Sequence, residues 1–576
     1  MIVDFRNVNT VWASVLVETL YRCGMKMAVV CPGSRSTPLA IAFASHPDVE
    51  AIPILDERSA AFFALGRAKK TGLPTVLICT SGTAGANFYP AVIEAKHSSV
   101  PLIILTGDRP AELRHAHAGQ TIDQVKLYGN LPNWQCELAL PEAELGMLSY
   151  LRQNIIQAWS QSLYPTPGVV HLNLPFRKPL VPLVQSGLLE LERQFLAADF
   201  FGKVSYFIPD KHLAFDLPWD EWQQKSGIII AGLAQPKDAE TYVRAIARLS
   251  QLLSFPVLAE ALSPVRNYAS LNPYLISTYD AILRRDDLAT ELIPNIVIQI
   301  GELPTSKELR QWLGDIAVER WIIDRKNDNF DPLHGKSIHL RSSIEQLKYN
   351  VSSSNKTPSQ FCQRWCELEA QTRINIDNTL ESLDNIYEGK AAWLIPQCLP
   401  VATPIFIANS MSVRNAEYFW QPNNSKIIPY FSRGANGIDG TLSTALGIAY
   451  QDAGVLLTGD LALLHDTNGF LIHQKFRGHL TIVVINNNGG GIFEMLPIAD
   501  FDTFEEYFAT PQSVDLAKLC AAYDLEHHKI DNWQRLKELL NNLPTTGIRV
   551  LELICDRSSD AAWLKSNLAQ FSGDRI

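Results

Sequence analysis

Two short segments in the last third of the chain carry residue types that can hold a hard divalent cation. Leu456-Leu457-Thr458-Gly459-Asp460 leads from an apolar run into a carboxylate, and Val483-Val484-Ile485-Asn486-Asn487-Asn488-Gly489 leads from a second apolar run into amides. Asp460 offers a carboxylate oxygen, Asn487 an amide oxygen and Gly489 a backbone carbonyl. Such a set suits Mg²⁺, which usually takes one or two side-chain oxygens and leaves the rest of its octahedron to water and substrate phosphates. Residues 461–486, 26 in all, separate Asp460 from Asn487. That length allows one crossover between parallel strands, which places the two loops side by side at the strand ends. Backbone N–H groups at a following helix start would favour a diphosphate. Either half alone is an ordinary strand end or Asn-Gly turn; the spaced pair is specific.

A second set of candidates lies elsewhere. In Ile54-Leu55-Asp56-Glu57-Arg58, Glu57 follows a strand and opens a helix, where an acid is also favoured simply by the helix dipole. Arg35 follows Pro32-Gly33-Ser34, Arg109 sits in Gly107-Asp108-Arg109-Pro110, and Arg433 precedes Gly434-Ala435-Asn436-Gly437. Ser410 and Arg414 are four apart, on one face if the segment is helical. Any one of these arginines could be a solvated surface residue. Arginines beside glycine-rich turns fit anion recognition through charge-assisted, bidentate contacts better.

The elements that must position these groups follow from alternation of short β-branched runs with amphipathic stretches, the pattern of parallel α/β domains. Strands are expected at 27–31, 51–55, 75–79, 101–106 and 169–174, with helices at 11–23, 57–70 and 85–96. A second set of strands is expected at 227–231, 295–300, 321–324 and 337–340, and a third at 404–408, 454–458, 481–486 and 550–555. Proline-rich 175–182 and polar 352–357 read as linkers. The expectation is an α/β protein of three consecutive doubly wound domains with mainly parallel sheets, over 1–185, 200–350 and 358–576.

Composition narrows the classes. The chain has 576 residues, 47% hydrophobic and 19% charged, with a formal charge of −10. That charge argues against general nucleic-acid binding. No apolar run reaches the ~18 residues that span a bilayer, and the opening Met-Ile-Val-Asp-Phe-Arg has no basic-then-apolar leader pattern. Nine scattered cysteines without a C-x-x-C pair fit a reducing cytoplasm. Cys362 and Cys366 read as two thiols on one helix face, and His115-Ala116-His117 as a loop.

The paired loops resemble the motif of the thiamine-diphosphate (ThDP) enzyme superfamily, G-D-G, a spacer of about this length, then N-N; Leu461 stands where the second glycine usually does. Cys31–Leu39, Thr80–Asn87, Gly107–Pro110 with Gly119-Gln120-Thr121-Ile122, Ser432–Gly440 and Asn486–Phe493 resemble one branch of it. That branch is the 2-succinyl-5-enolpyruvyl-6-hydroxy-3-cyclohexene-1-carboxylate synthases of menaquinone and phylloquinone biosynthesis. The resemblance spans the chain, dense over 1–125 and 405–500 and sparse between. It implies ThDP and Mg²⁺ (or Mn²⁺) as cofactors, with Asp460, Asn487 and Gly489 on the metal. Glu57 would be the acid against the cofactor's aminopyrimidine, with Ser410, Gly437, Ile438, Gly459, Ile492 and Phe493 also around the cofactor. It implies 2-oxoglutarate and isochorismate as substrates, with CO₂ released and a 1,4-addition following. Ser34, Arg35, Arg109, Gln120, Lys307, Arg414 and Arg433 would bind these dianions, beside an apolar wall of Ile492, Phe493 and Leu496. Some relatives carry an arginine after the lysine; this chain has Glu308. In the superfamily, acid and metal motif meet across subunits, so a homodimer or homotetramer is implied.

Two alternatives stay open on sequence, and a third does not. One is another ThDP carboligase or oxidase, acetolactate-synthase-like, with FAD in the middle domain; Ala231-Gly232-Leu233-Ala234 offers only one glycine for that. Another is a non-catalytic ligand-binding relative, which should have lost Glu57, Asp460 or Asn487. A dehydrogenase would need a Gly-x-Gly-x-x-Gly turn after a strand, and none occurs in that context.

Overall fold

The computed structural model describes residues 3–202, 204, 217–348 and 358–573. It has three six-stranded sheets in which every pairing is parallel. The first holds β1 (Met27–Val30), β2 (Glu50–Pro53), β3 (Thr75–Cys79), β4 (Leu102–Asp108), β5 (Trp134–Glu137) and β6 (Val169–Pro175). The central sheet holds β7 (Gly227–Ala231), β8 (Val257–Ala259), β9 (Leu275–Ile276), β10 (Ile296–Ile300), β11 (Glu319–Ile323) and β12 (Ser337–Leu340). The third holds β13 (Pro404–Ile407), β14 (Ile428–Tyr430), β15 (Ala453–Gly459), β16 (His479–Asn486), β17 (Glu526–Ile530) and β18 (Gly547–Ile554).

The first and third sheets share one winding, β2-β1-β3-β4-β6-β5 and β14-β13-β15-β16-β18-β17. Chain direction reverses between β1 and β3, and between β13 and β15. Open parallel sheets bind ligands outside the strand C-termini at such points. The central order, β12-β11-β10-β7-β8-β9, reverses between β10 and β7.

Double winding requires strands that are apolar on both faces. In β7, Ile229 and Ala231 join one buried cluster, while Ile228 and Ile230 join another across the sheet. The period of two along a strand makes that split.

The chain divides into two compact units, described separately. One comprises Met1–Asp210, Ser432–Tyr450 and His465–Phe476; the other comprises Lys211–Phe431, Gln451–Leu464 and Arg477–Ile576. In the first, the Glu57–Thr71 helix packs closely on the Thr441–Ala449 helix. A Cβ on Gly66 would lie 2.1 Å from the Thr444 carbonyl oxygen, and one on Gly447 2.1 Å from that of Phe63.

Two expectations need correction. The helix expected over 85–96 is two helices, Thr83–Asn87 and Tyr89–His97, meeting at Phe88. Pro90, in the first turn of the second helix, has no N–H to continue the first. The sequence reading also missed β5, β8, β9, β14 and β17, which are short or, like Glu526-His527-His528-Lys529-Ile530, too polar to show an apolar run. The linker expected at 352–357 lies outside the described residues. Among the described residues no helix is long and apolar enough to cross a membrane.

Candidate active site

In the first unit the strand ends of one sheet gather an acid and a cationic loop cluster. Asp56 and Glu57 follow β2, but they are not equivalent. Asp56 caps the helix, accepting from Ser59 N–H at 2.9 Å, and takes the Asn468 amide at 2.8 Å. Burial opposes its ionisation, yet these donors hold its pKa below the usual value. Glu57 is half-buried, and its carboxyl has no hydrogen-bond or ion-pair partner among the described residues. Its neighbours Cys31 and Cys79 are buried thiols. Burial pushes both pKa values up, and the Glu57 charge adds to this, so neither competes as an acid.

Two of the arginine motifs meet in the same unit. A Cβ on Gly107 would lie 2.9 Å from the Arg35 carbonyl oxygen, so the end of β4 lies against the Pro32–Arg35 loop. Arg35 is buried, its N–H donating to Thr80 Oγ1 at 3.0 Å and Nη1 to the Phe176 carbonyl at 2.8 Å; its Nε has no acceptor. Burial lowers its pKa, and Arg109 adds to the shift. Arg109 donates from Nη1 to Ser81 Oγ and, at 2.7 Å, to the Gln120 carbonyl, while Gln120 Nε2 donates to the Ser81 carbonyl at 2.9 Å. Gln120 sits at φ 58°, a left-handed conformation that costs a non-glycine residue. Ser34 lies exposed on the same loop as Arg35.

The Ser432–Gly440 loop is anchored by Glu94, whose carboxylate accepts the N–H groups of Gly434 at 3.2 Å and Ala435 at 2.7 Å. Gly440 lies against Phe62, its Cβ position 2.0 Å from the ring. The loop carrying Arg433, Gly437 and Ile438 therefore docks on the helix that Glu57 opens.

In the second unit the metal motif closes as its spacing suggests. Gly459 on β15 pairs with Ile485 on β16, so Asp460 and Asn487 leave the sheet together. Asp460 accepts from Gly489 N–H at 2.9 Å and Leu461 N–H at 2.8 Å. Burial raises its pKa against these donors. Asn487 is buried; its Nδ2 donates to Glu388 at 3.2 Å, and its Oδ1 has no partner. Gly489 sits at φ 135°, and a Cβ there would lie 2.3 Å from the Ala509 carbonyl oxygen, so glycine is required.

Around this loop, Ser410 opens the Met411–Phe419 helix at φ 66°, and its carbonyl accepts from Arg414 Nη1 at 2.7 Å. Ile492 and Phe493 are half-buried, and Leu496 is 48% exposed, so it does not serve the core. Lys307 is exposed at the start of its helix. Glu308 does not oppose it: it pairs with Arg284 at 3.3 Å, which also binds Asp280. Sequence reasoning missed Arg310. It is anchored to the Pro304 and Leu303 carbonyls at 2.7 and 3.2 Å, and has no carboxylate partner among the described residues. Burial lowers the Arg414 pKa, Tyr418 opposes this, and Arg310 adds to it. Its signal was only one basic residue in an amphipathic helix.

A protein from Gloeothece citriformis, 2-succinyl-5-enolpyruvyl-6-hydroxy-3-cyclohexene-1-carboxylate synthase, is 64% identical over 99% of this chain and 100% of its own. The chain belongs to that synthase family. Synthases of the same name from Rippkaea orientalis and Nostoc sp. are 59% and 58% identical; the first covers 99% of this chain and 98% of its own, the second 100% of both. Three domain families match as well: "Thiamine pyrophosphate enzyme, N-terminal TPP binding domain" over 11–127, "Middle domain of thiamine pyrophosphate" over 205–407, and "Thiamine pyrophosphate enzyme, C-terminal TPP binding domain" over 410–552. Among solved structures, a thiamin diphosphate-dependent enzyme from Mycobacterium smegmatis superposes with a TM-score of 0.65 at 15% identity, over 94% of this chain and 99% of its own. Benzoylformate decarboxylase from Polynucleobacter necessarius gives 0.63 at 15%, over 95% and 98%. At such identities these structures speak to fold alone, a three-domain ThDP-enzyme architecture.

The synthase's ThDP-binding domains imply thiamine diphosphate, and the donors present fit the Mg²⁺·diphosphate end of it. The orphaned, buried Asn487 Oδ1 beside a carboxylate is an acceptor awaiting a cation. Leu461 is compatible: it lies in helical backbone without positive φ, and its N–H serves Asp460. In the central domain, a Cβ on Gly232 would lie 1.7 Å from the Glu302 carbonyl oxygen. That turn is filled by the chain itself, which disfavours a dinucleotide phosphate there.

Proposed function

We propose that this synthase joins 2-oxoglutarate to isochorismate with loss of CO₂, and that the residues assembled above carry the reaction. The observation that supports this substrate pair is the presence of two arginine sets, Arg35 with Arg109 and Arg310 with Arg414; in each, burial lowers the pKa of one guanidinium and the neighbouring arginine adds to it. Like charges kept close suit a site whose ligand is a dianion.

When bound, thiamine diphosphate supplies the electron sink for decarboxylation. Asp460, Asn487 Oδ1 and the Gly489 carbonyl would hold the Mg²⁺ that neutralises its diphosphate. Glu57 would hold a proton at a ring nitrogen of the aminopyrimidine once the cofactor is bound. Ile438 props the cofactor; Ile492, Phe493 and Leu496 exclude water beside it. The arginines, with Lys307, Ser34 and Gln120, hold two dianions together against their repulsion, which is positioning and charge stabilisation. A homodimer or dimer of dimers completes the assembly, so dilution to monomer abolishes turnover.

The test is loss of isochorismate absorbance with ThDP, Mg²⁺ and 2-oxoglutarate, each omitted in turn. Dependence on all three supports the reading; turnover of a different 2-oxo acid with isochorismate untouched sinks the substrate pair.

Because Glu308 is turned to Arg284, Arg310 takes the role of second cation beside Lys307. Arg310→Met is expected to weaken substrate binding by about 1.5–3 kcal/mol, the worth of a charged hydrogen bond, or roughly 10–150-fold in KM. Steady-state kinetics reads this; an unchanged KM for both substrates would remove Arg310 from the site.

A further inference from the structure

Only the oxygen end of an asparagine ligates a cation, so an Asn ligand works only if something fixes which end of its amide faces the metal. In this chain that partner is Glu388, 99 residues away in sequence. Its Oε2 accepts from Asn487 Nδ2 at 3.2 Å, which leaves Asn487 Oδ1 turned away from Glu388 and without a partner. Glu388 is buried, at the first position of the Glu388–Cys398 helix, where the dipole favours negative charge. No cation pairs with it among the described residues. Its backbone N–H donates to Asp560 Oδ2 at 3.1 Å; burial raises its carboxyl pKa, and the nearby Asn415 and Asn487 side chains work against that rise. Asn415 lies one residue after Arg414, on the helix that Ser410 opens. A Cβ on Gly491 would lie 2.6 Å from Asn487 Nδ2, so glycine there makes room for the amide.

We propose that Glu388 is a positioning residue for the metal: by accepting the Asn487 amide it orients Asn487 Oδ1 toward the cation and ties the metal loop to the start of the Glu388–Cys398 helix. A glutamine would remove this discrimination, since either end of its own amide can face Asn487. The inference rests on the reading that Asp460, Asn487 and Gly489 hold the cation. Groups that orient metal ligands typically change affinity about 10–100-fold when removed.

The experiment is Mn²⁺ binding followed by the EPR signal of the free ion, with ThDP saturating, on the full-length wild type, Glu388→Gln and Asn487→Ala. Thermal unfolding without metal is measured alongside. The expected result is a Mn²⁺ dissociation constant raised about 10–100-fold in Glu388→Gln, and at least as much in Asn487→Ala, in proteins that unfold cooperatively. Wild-type Mn²⁺ affinity in Glu388→Gln, with affinity lost in Asn487→Ala, overturns the role of Glu388 alone. Unchanged affinity in Asn487→Ala overturns the metal-site reading and this inference with it. Should Glu388→Gln not accumulate folded, Glu388→Asp, which keeps the charge but withdraws the oxygen from Asn487, replaces it under the same outcomes.

Discussion

Glu57→Gln is expected to lower turnover by about 10²–10⁴-fold, the usual contribution of a positioned general acid or base, with ThDP and Mg²⁺ saturating. The two shapes are nearly identical, so the loss would belong to the proton that glutamine cannot share. The local structure makes the expectation specific to Glu57. Asp56 is engaged as a helix cap and by Asn468, whereas the Glu57 carboxyl has no hydrogen-bond or ion-pair partner among the described residues. The flanking thiols of Cys31 and Cys79 are held protonated by burial. No neighbouring group is therefore placed to substitute. ThDP retention, measured by calorimetry, should fall far less than turnover, because the diphosphate end is held elsewhere. A variant keeping more than a tenth of wild-type kcat would sink the assignment. Asp56→Ala should instead lower the unfolding temperature, since it removes a cap worth about 1 kcal/mol.

What could be read in advance divides along range. Strands such as Thr75–Cys79 and Gly227–Ala231 were legible because they are buried runs between turn residues. The three-domain parallel architecture followed from their alternation with helices. The loop motifs were legible because glycine and positive φ are local demands: Gly489 must be glycine at φ 135°. Short edge strands were not, since their pairing is decided by a partner far away; β17 has register only against β18. The same holds in the site. Nothing around Tyr387-Glu388-Gly389 marks Glu388 as the neighbour of Asn487, and the polar face of an amphipathic helix hides Arg310. Glu308 looked like a departure from the cationic pattern until the structure gave it to Arg284.

Asp460→Asn is expected to abolish stabilisation by Mg²⁺ and ThDP, and this is the stronger test of the metal reading. Asp460 is the single carboxylate in the proposed ligand set. Removing one partner of a buried charge pair costs about 3–5 kcal/mol, or roughly 10²–10⁴-fold in cation affinity. At a cofactor level about 100 times the dissociation constant the wild type gains about 2.7 kcal/mol of stability; a variant weakened 10²-fold gains about 0.4. Before cation binding, Asp460 carries an opposite sign. Burial raises its folded pKa above the usual carboxylate value, so its contribution to stability is present at low pH and lost as pH rises through that raised pKa. At neutral pH the ionised carboxylate thus costs the metal-free protein stability, and a bound cation repays that cost. Chelation should lower the wild-type unfolding temperature at neutral pH. The same treatment should leave Asp460→Asn nearly unchanged, although one of the N–H donors of Leu461 and Gly489 then faces an amide nitrogen. A variant that chelation still destabilises as much as wild type would mean the cation is held by other groups.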